Sequence, residues 1–201
     1  MKNNNHINFT VCSYIKKEFE AVLPLVDAQN IFLSTFKANP LNPYKPGCDL
    51  LNEIVPVFPK CDFHFILGGC CISDKMMTEF NKNKDSYFCH QLRSCLSLFI
   101  PQSLADRLIS QGASIIYPGM LSSWKQYLVE LGFDQKMLKQ YYRESTKKIV
   151  FLETGLYEHT QQNLIEFTEQ IGIPYEIIEV DMDYLKSRIW EIVVELNEHE
   201  R

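Results

Sequence analysis

Seven short runs of apolar, β-branched and aromatic residues recur along the chain, and segments of helical periodicity separate most of them. The runs cover residues 7–13, 30–36, 62–67, 86–90, 114–117, 148–152 and 175–180. Strands that alternate with helices at this spacing predict parallel pairing with right-handed crossovers. We therefore expect an α/β fold, a three-layer sandwich with helices on both faces of a mainly parallel sheet of about six to seven strands.

The helical segments are marked by periodicity and by residues that begin or end helices. They cover residues 15–23, 48–58, 74–80, 101–110, 122–131, 134–142, 159–171 and 183–198. Pro101 suits a first helical position, and Asp134 suits an N-cap. The last segment is amphipathic and places one apolar face along Leu185, Ile189, Ile192, Val193 and Leu196.

The length of 201 residues suits one domain with a full core. We predict a single α/β domain over residues 1–201. The alternative has two subdomains that meet near Gly112, but one continuous sheet is the simpler interpretation.

Charge and hydropathy argue against a protein that binds nucleic acid, binds an anionic membrane or spans a membrane. The net charge is -5, without long runs of one sign, whereas nucleic acids and anionic membranes bind basic surfaces. No apolar run is long enough to span a bilayer. Residues 1–6 are polar, so we expect no signal peptide and a cytoplasmic location.

Seven cysteines are many for a chain of this size. Their number is odd and no export signal accompanies them, so a disulfide framework is not expected. Three interpretations stay open for each cysteine: a buried apolar thiol, a metal ligand or a reactive group.

Several cysteines fall where predicted strands end, which is where open α/β sheets bind ligands. The residues that follow these strands are Cys12, Gly68-Gly69-Cys70-Cys71, Cys89-His90 and Tyr117-Pro118-Gly119, and Cys95 comes shortly after the fourth strand. If the first and third strands are neighbours, Cys12 and Cys70 both open helices on one edge. A helix N-terminus lowers the pKa of a thiol and favours the thiolate.

Three or four thiolates, with His90 as a further candidate, would suit zinc or an iron–sulfur cluster. No Cys-x-x-Cys pair is present, and the adjacent Cys70 and Cys71 are poorly placed to chelate one ion. The candidate cofactor-binding residues are Gly68, Gly69, Tyr117 and Gly119. The two glycines match no phosphate-binding fingerprint, and a tight turn is their simpler purpose. His64, in an Asp-x-His pattern similar to a corrinoid-binding motif, is interpreted as a core residue.

Longer segments resemble an uncharacterised prokaryotic family, domain of unknown function 1638. The likeness covers most of the chain up to Leu185. It is carried by Thr10-Val11-Cys12 with Glu18, Gly68-Gly69-Cys70, Cys95-Leu96-Ser97-Leu98, residues 114–121 with Trp124-Lys125, Leu131-Gly132-Phe133-Asp134, residues 148–155 and Gly172-Ile173-Pro174-Tyr175-Glu176. The resemblance singles out Cys12, Cys70 and Cys95 as metal ligands, with Glu18 as a supporting residue.

The family's genes often lie near corrinoid-dependent methyl-transfer systems, and some members resemble fusions to sensor proteins. The resemblance therefore implies a metal- or cofactor-binding protein that serves corrinoid or one-carbon metabolism. Its partner would be a small molecule or a protein of the corrinoid system. The alternatives are a ligand-sensing module, in which the last helix leads into a downstream signalling element or forms a homodimer seam, and a cofactor-free thiol enzyme with Cys70 as nucleophile.

Overall fold

The structure is a computed structural model. It describes residues 6–26, 31–36, 61, 63–69, 78, 87–132 and 134–199. The predicted helix over residues 48–58 and, except for Thr78, the one over residues 74–80 lie outside these ranges.

Every predicted strand is confirmed, and no strand limit differs from the prediction by more than one residue. The strands are β1 (Ile7–Cys12), β2 (Ile31–Phe36), β3 (Phe63–Gly68), β4 (Tyr87–Gln91), β5 (Ala113–Ile116), β6 (Lys148–Glu153) and β7 (Tyr175–Glu179). The strands are rich in β-branched and aromatic residues, which explains why they are readily recognised in this sequence.

The strands form two parallel sheets. The first has four strands in the order β2-β1-β3-β4, and the second has three in the order β5-β6-β7. The five strand pairs among the described residues are all parallel. An α/β fold with parallel strands is thus confirmed, whereas a single sheet of six to seven strands is not.

The chain divides into two compact units. The first unit contains Met1–Cys95 and Lys186–Arg201, and the second contains Leu96–Leu185. The first sheet belongs to the first unit and the second sheet to the second unit. The assignment of the chain to a single domain stays a prediction.

The α-helices in the described ranges that the sequence predicts begin within two residues of their predicted starts. They are α1 (Lys16–Val22), α2 (Gln102–Ser110), α3 (Pro118–Ser122), α4 (Trp124–Leu131), α5 (Gln135–Ser145), α6 (Thr160–Ile171) and α7 (Met182–His199). Pro101 is the N-cap of α2, not its first residue. The predicted helix over residues 122–131 instead follows a separate short helix, α3, which begins at Pro118. Asp134 is confirmed as an N-cap, because its side chain accepts a hydrogen bond from the Met137 N–H at 2.8 Å.

The first sheet has one strongly apolar face. Side chains alternate between the faces of a strand, so Phe9 and its register partner Phe65 lie on the same face. Their ring centroids are 4.7 Å apart, and Phe19 of α1 packs on Phe9 at 5.3 Å. Phe88 of β4 extends this aromatic layer, with its ring 5.4 Å from that of Phe65.

One face of the sheet in the second unit packs into a hydrophobic cluster. Its buried members are Ile116, Leu121, Trp124, Leu138, Ile149, Phe151, Leu164, Phe167 and Ile171. The rings of Trp124 and Tyr142 both meet Phe167 edge-on. Burial raises the pKa of Tyr142 to about 12, with Tyr141 adding to the shift and a hydrogen bond to Ser114 opposing it.

The described members of the apolar face predicted for the last helix, α7, are buried. Leu185, Ile189, Ile192 and Val193 are all buried, whereas Trp190 is 54% exposed. Of the helices in the described ranges, none is long and apolar enough to cross a membrane.

Candidate functional site

The strand order places a switch point between β1 and β3. From β1 the chain continues to β2 on one side, and β3 lies on the other side of β1. Ligands of open parallel sheets bind beyond the carboxyl ends of the strands at such a point. Val11 pairs with Leu67, so Cys12 and Gly68, each one residue further along, end side by side. The neighbouring positions of the first and third strands, on which the predicted cysteine site depends, are thus confirmed.

Cys12 is the last residue of β1 and is 3% exposed. It precedes a 3-10 turn, Ser13–Ile15, which leads directly into α1. The cysteines that the structure describes, Cys12, Cys61, Cys89 and Cys95, carry thiols and form no disulfides. Cys12 therefore brings a buried thiol to the switch point.

Cys95 approaches the same edge from β4. The Leu92 N–H donates a hydrogen bond to the Gly68 carbonyl at 2.7 Å, which extends the pairing of β4 with β3 by one residue. The chain then turns across the end of β3. A β-carbon at Gly69 would lie 3.1 Å from Cys95 Sγ and 3.2 Å from its backbone nitrogen. Gly69 is thus a position of close approach to Cys95, a role that the sequence alone does not specify.

Cys70, the third predicted ligand, directly follows Gly69 in the chain and lies outside the described residues. Within the described ranges, no group of three or more His, Cys, Asp or Glu side chains is arranged to hold a metal ion. The three-cysteine site therefore stays a prediction, of which the structure describes two members.

His90 lies on the opposite face of the sheet from Cys12. It is the register partner of Leu67, and its ring stacks at 6.1 Å on Phe65 of the apolar face. Cys89 is in register with Ile66, on the face that carries Cys12. The structure does not bring His90 into the layer that contains Cys12, so His90 is not retained as a candidate ligand.

The face of the first sheet that carries Cys12 contains a buried polar row, which we define as Asn8, Thr10 and Cys12. The Asn8 side-chain amide donates to Thr10 Oγ1 at 3.0 Å. The Ser34 hydroxyl of β2 donates to Asn8 Oδ1 at 2.7 Å. The sequence interpretation missed this row, although polar and apolar residues alternate strictly through β1.

His64 borders the polar row, because it is the register partner of Asn8. Its side chain is buried, as expected of the core residue that the sequence predicts. Burial lowers the pKa of His64, since the charged imidazolium is poorly solvated there.

Glu18, the predicted supporting residue, is fully buried in the first turn of α1. Glutamate is almost never fully buried unless its carboxylate is paired. The burial of this side chain six residues after Cys12 agrees with a positioning role, which stays a prediction.

Tyr117 and Gly119 lie in the second unit. Tyr117 is the N-cap of α3, and its buried ring stacks on Phe99 at 5.1 Å. Gly119 is buried inside α3, where its carbonyl accepts a hydrogen bond from the Ser122 hydroxyl. These contacts are packing and helix contacts, and the predicted cofactor role of both residues stays untested.

The carboxyl end of β6 carries an acid with a structural role. Glu153 accepts a hydrogen bond from the Gly155 N–H at 2.8 Å and another from the Thr160 hydroxyl at 2.7 Å. Gly155 has a φ of +70°, which glycine adopts without strain. The carboxylate of Glu153 thereby fixes the turn and the start of α6.

No family model, no curated protein and no solved structure matches this chain.

Proposed function

We propose that the chain binds a metal ion or metal cofactor through cysteine thiolates at the switch point between β1 and β3. The ligands are Cys12, Cys95 and Cys70. The observation that supports this most directly is the contact of Cys95 Sγ with Gly69, the residue between the end of β3 and Cys70. The end of the neighbouring strand supplies Cys12.

The chemistry of the donor set fits a thiophilic metal. Thiolate sulfur is the ligand that zinc and iron–sulfur clusters use most. A site with three protein ligands leaves one position of a tetrahedral zinc ion for a substrate or cofactor. Glu18 is proposed as a residue that orients this set, since outer residues of metal sites hold the ligands in place.

The resemblance to domain of unknown function 1638 supports a role beside corrinoid-dependent methyl transfer or in one-carbon metabolism. In that role the protein acts in the cytoplasm, with a small molecule or a protein of the corrinoid system as partner. Corrinoid contact itself has no supporting motif, because His64 is a buried strand residue next to Asn8.

Metal analysis of protein purified without oxygen tests the proposal. We expect about one equivalent of zinc, or an absorption spectrum with the charge-transfer bands of an iron–sulfur cluster. Cys12→Ser and Cys95→Ser should each lose most of the metal. Cys61→Ser is the matched control, because Cys61 precedes β3 at the amino end of the sheet; this variant should keep the metal.

Folded wild-type protein that holds no metal, and whose thiols all react with a thiol reagent, would rule the proposal out. A metal-free protein in which one cysteine is alkylated far ahead of the others at neutral pH would instead favour the cofactor-free thiol enzyme. The sensing alternative with a dimer seam on α7 is the less favoured form, because the predicted apolar face of that helix is already buried at Ile189, Ile192 and Val193. A monomeric mass at micromolar concentration together with no stabilisation by a ligand would rule the sensing alternative out.

A further inference from the structure

The end strand of the second sheet exposes apolar side chains along its outer edge. Among the described residues, β7 pairs with β6 alone. Tyr175 and Ile177 of β7 are 40% and 42% exposed. Their register partners on β6, Ile149 and Phe151, are fully buried in the hydrophobic cluster. The apolar face of this sheet therefore continues beyond the cluster and reaches solvent at β7.

The helix that connects β6 to β7 adds a third exposed apolar side chain, Ile165 of α6. One flank of α6 meets α4 and α5, where the rings of Trp124 and Tyr142 contact Phe167. Ile165 lies roughly 200° around the helix from Phe167, on the opposite flank. Because α4 and α5 belong to the connection from β5 to β6, this opposite flank faces the β7 side of the sheet. We define the edge surface as Ile165, Tyr175 and Ile177.

The outer edge of β7 also presents backbone hydrogen-bonding groups. The Ile149 N–H donates to the Pro174 carbonyl, and the Val180 N–H donates to β6, both at 2.8 Å. In a parallel pair, alternate residues direct their backbone groups to the same neighbour, so the even-numbered residues of β7 bond to β6. The odd-numbered residues direct their N–H and carbonyl groups away from β6: Tyr175, Ile177 and Glu179. Such an edge is a template for another strand, and β7 contains neither proline nor lysine, which often guard edges.

We propose that β7 is a homodimer interface, at which the β7 strands of two copies pair in antiparallel orientation across a two-fold axis. Ile177 faces Ile177 of the second copy, and Tyr175 faces Glu179. The pairing joins two three-stranded sheets into one continuous sheet and brings the Ile165 flanks of the two α6 helices to the same side of it. This inference goes beyond the proposed function, because it does not depend on the metal site.

The distribution of charge favours this register. A two-fold interface brings the same surface of both copies together, so a strand must be complementary to itself. With Ile177 on the axis, the Tyr175 hydroxyl can donate to the Glu179 carboxylate of the second copy. Glu176 faces Ile178 and is already paired with Lys148 of its own sheet. No carboxylate of the strand is directly opposite another.

The neighbouring registers are less favourable. With Glu176 on the axis, the two Glu176 carboxylates face each other, and like charges directly opposite destabilise a strand pair. With Ile178 on the axis, Tyr175 faces Asp181, which lies beyond the end of β7. Only the register centred on Ile177 pairs all the outward backbone groups of the strand with one another.

Sedimentation of the whole protein over a range of micromolar concentrations tests the inference. We expect a species with twice the mass of the 23.5 kDa chain. Ile177→Lys should raise the dissociation constant of the dimer by about tenfold or more, because it sets two ammonium groups opposite each other in place of an apolar contact. Ile177→Pro should also dissociate the dimer. Its missing N–H points away from β6, at an edge position where proline is tolerated in a sheet.

Ile109→Lys is the matched control, since Ile109 is 51% exposed on α2 of the same unit; it should form dimers like wild type. Circular dichroism and urea unfolding show whether each variant is folded. The inference fails if wild type is a monomer or forms open-ended assemblies, or if folded Ile177→Lys forms dimers as wild type does. It also fails if Ile109→Lys dissociates as much as Ile177→Lys. Metal content does not enter these outcomes, so failure of the metal site and failure of the dimer are distinguishable.

Discussion

Gly69 and Cys95 lie in contact although 26 positions separate them in the chain, and a β-carbon on Gly69 would come within 3.1 Å of Cys95 Sγ. The contact joins the end of β3 to the segment after β4. Any side chain at position 69 must move a sulfur atom and a backbone nitrogen at once.

We expect Gly69→Ala to lower the free energy of unfolding by about 1–3 kcal/mol, as is usual for overpacking in a close-packed region. The added methyl group should also displace Cys95 and change its rate of alkylation. Urea unfolding measures the first effect, and mass spectrometry after timed alkylation measures the second.

Gly132→Ala provides a control for this experiment. Gly132 has a φ of +69°, and a β-carbon there would meet no atom within 4 Å. Alanine at this position loses stability through backbone strain alone. An equal change in Cys95 alkylation in both variants would show that reactivity follows global stability and not the contact with Gly69.

The hydrogen bond from the Ser34 hydroxyl to Asn8 of the polar row couples the contributions of these two residues to the free energy of unfolding. Each single change, Asn8→Ala or Ser34→Ala, leaves a partner group without its hydrogen bond in a buried or half-buried place, at a cost of about 1–3 kcal/mol. The double variant should lose less than the sum, with a coupling energy of about 0.5–3 kcal/mol. A double-mutant cycle by urea unfolding measures this coupling, and strict additivity would contradict the hydrogen bond between the two side chains.

Much of this fold could be predicted from the sequence, because its strands are short runs rich in β-branched and aromatic residues. The strand limits and the N-cap Asp134 depend on residues close by in the chain. The strand limits were predicted to within one residue, and the N-cap was predicted correctly. The division into two sheets depends on which strands pair, and pairing is decided by contacts between distant residues. The same limit applies to the approach of Cys95 to Gly69.

The start of α3 shows a second kind of limit. Pro118 and Gly119 after β5 suggest a turn, because both residues are common where chains change direction. Proline is equally suited to the first position of a helix, and Pro118 begins α3. The local sequence is therefore compatible with a turn and with a helix. In the helical structure, Leu121 and the following Trp124 are buried in the core.

His64 should make the stability of the protein sensitive to mild acid. Burial lowers its pKa in the folded state below the ordinary value of 6.5. The unfolded chain therefore binds more protons between the two pKa values, and stability decreases as the pH falls below about 6.5 towards the folded-state pKa. Urea unfolding between pH 7.5 and pH 5.5 should show a smaller decrease for His64→Gln than for wild type.

His159→Gln is the control for this pH dependence, because His159 is exposed at the start of α6. Its unfolding curves should depend on pH as those of wild type do. If His64→Gln and wild type lose stability in parallel over this range, the buried imidazole is not the source of the acid sensitivity.

The Glu153 carboxylate should stabilise the second unit more than the carboxylate of its register partner, Glu179, on the neighbouring strand. The Glu153 carboxylate accepts two hydrogen bonds, one from the Gly155 N–H and one from the Thr160 hydroxyl. A glutamine at this position offers one acceptor oxygen and turns an NH₂ group towards the second donor, so Glu153→Gln should lower the free energy of unfolding by about 1–3 kcal/mol. Glu179 is exposed, so Glu179→Gln should change it by no more than about 0.5 kcal/mol. Equal effects of the two substitutions in urea unfolding would mean that the charge of this sheet edge, and not the pair of hydrogen bonds, is what Glu153 contributes.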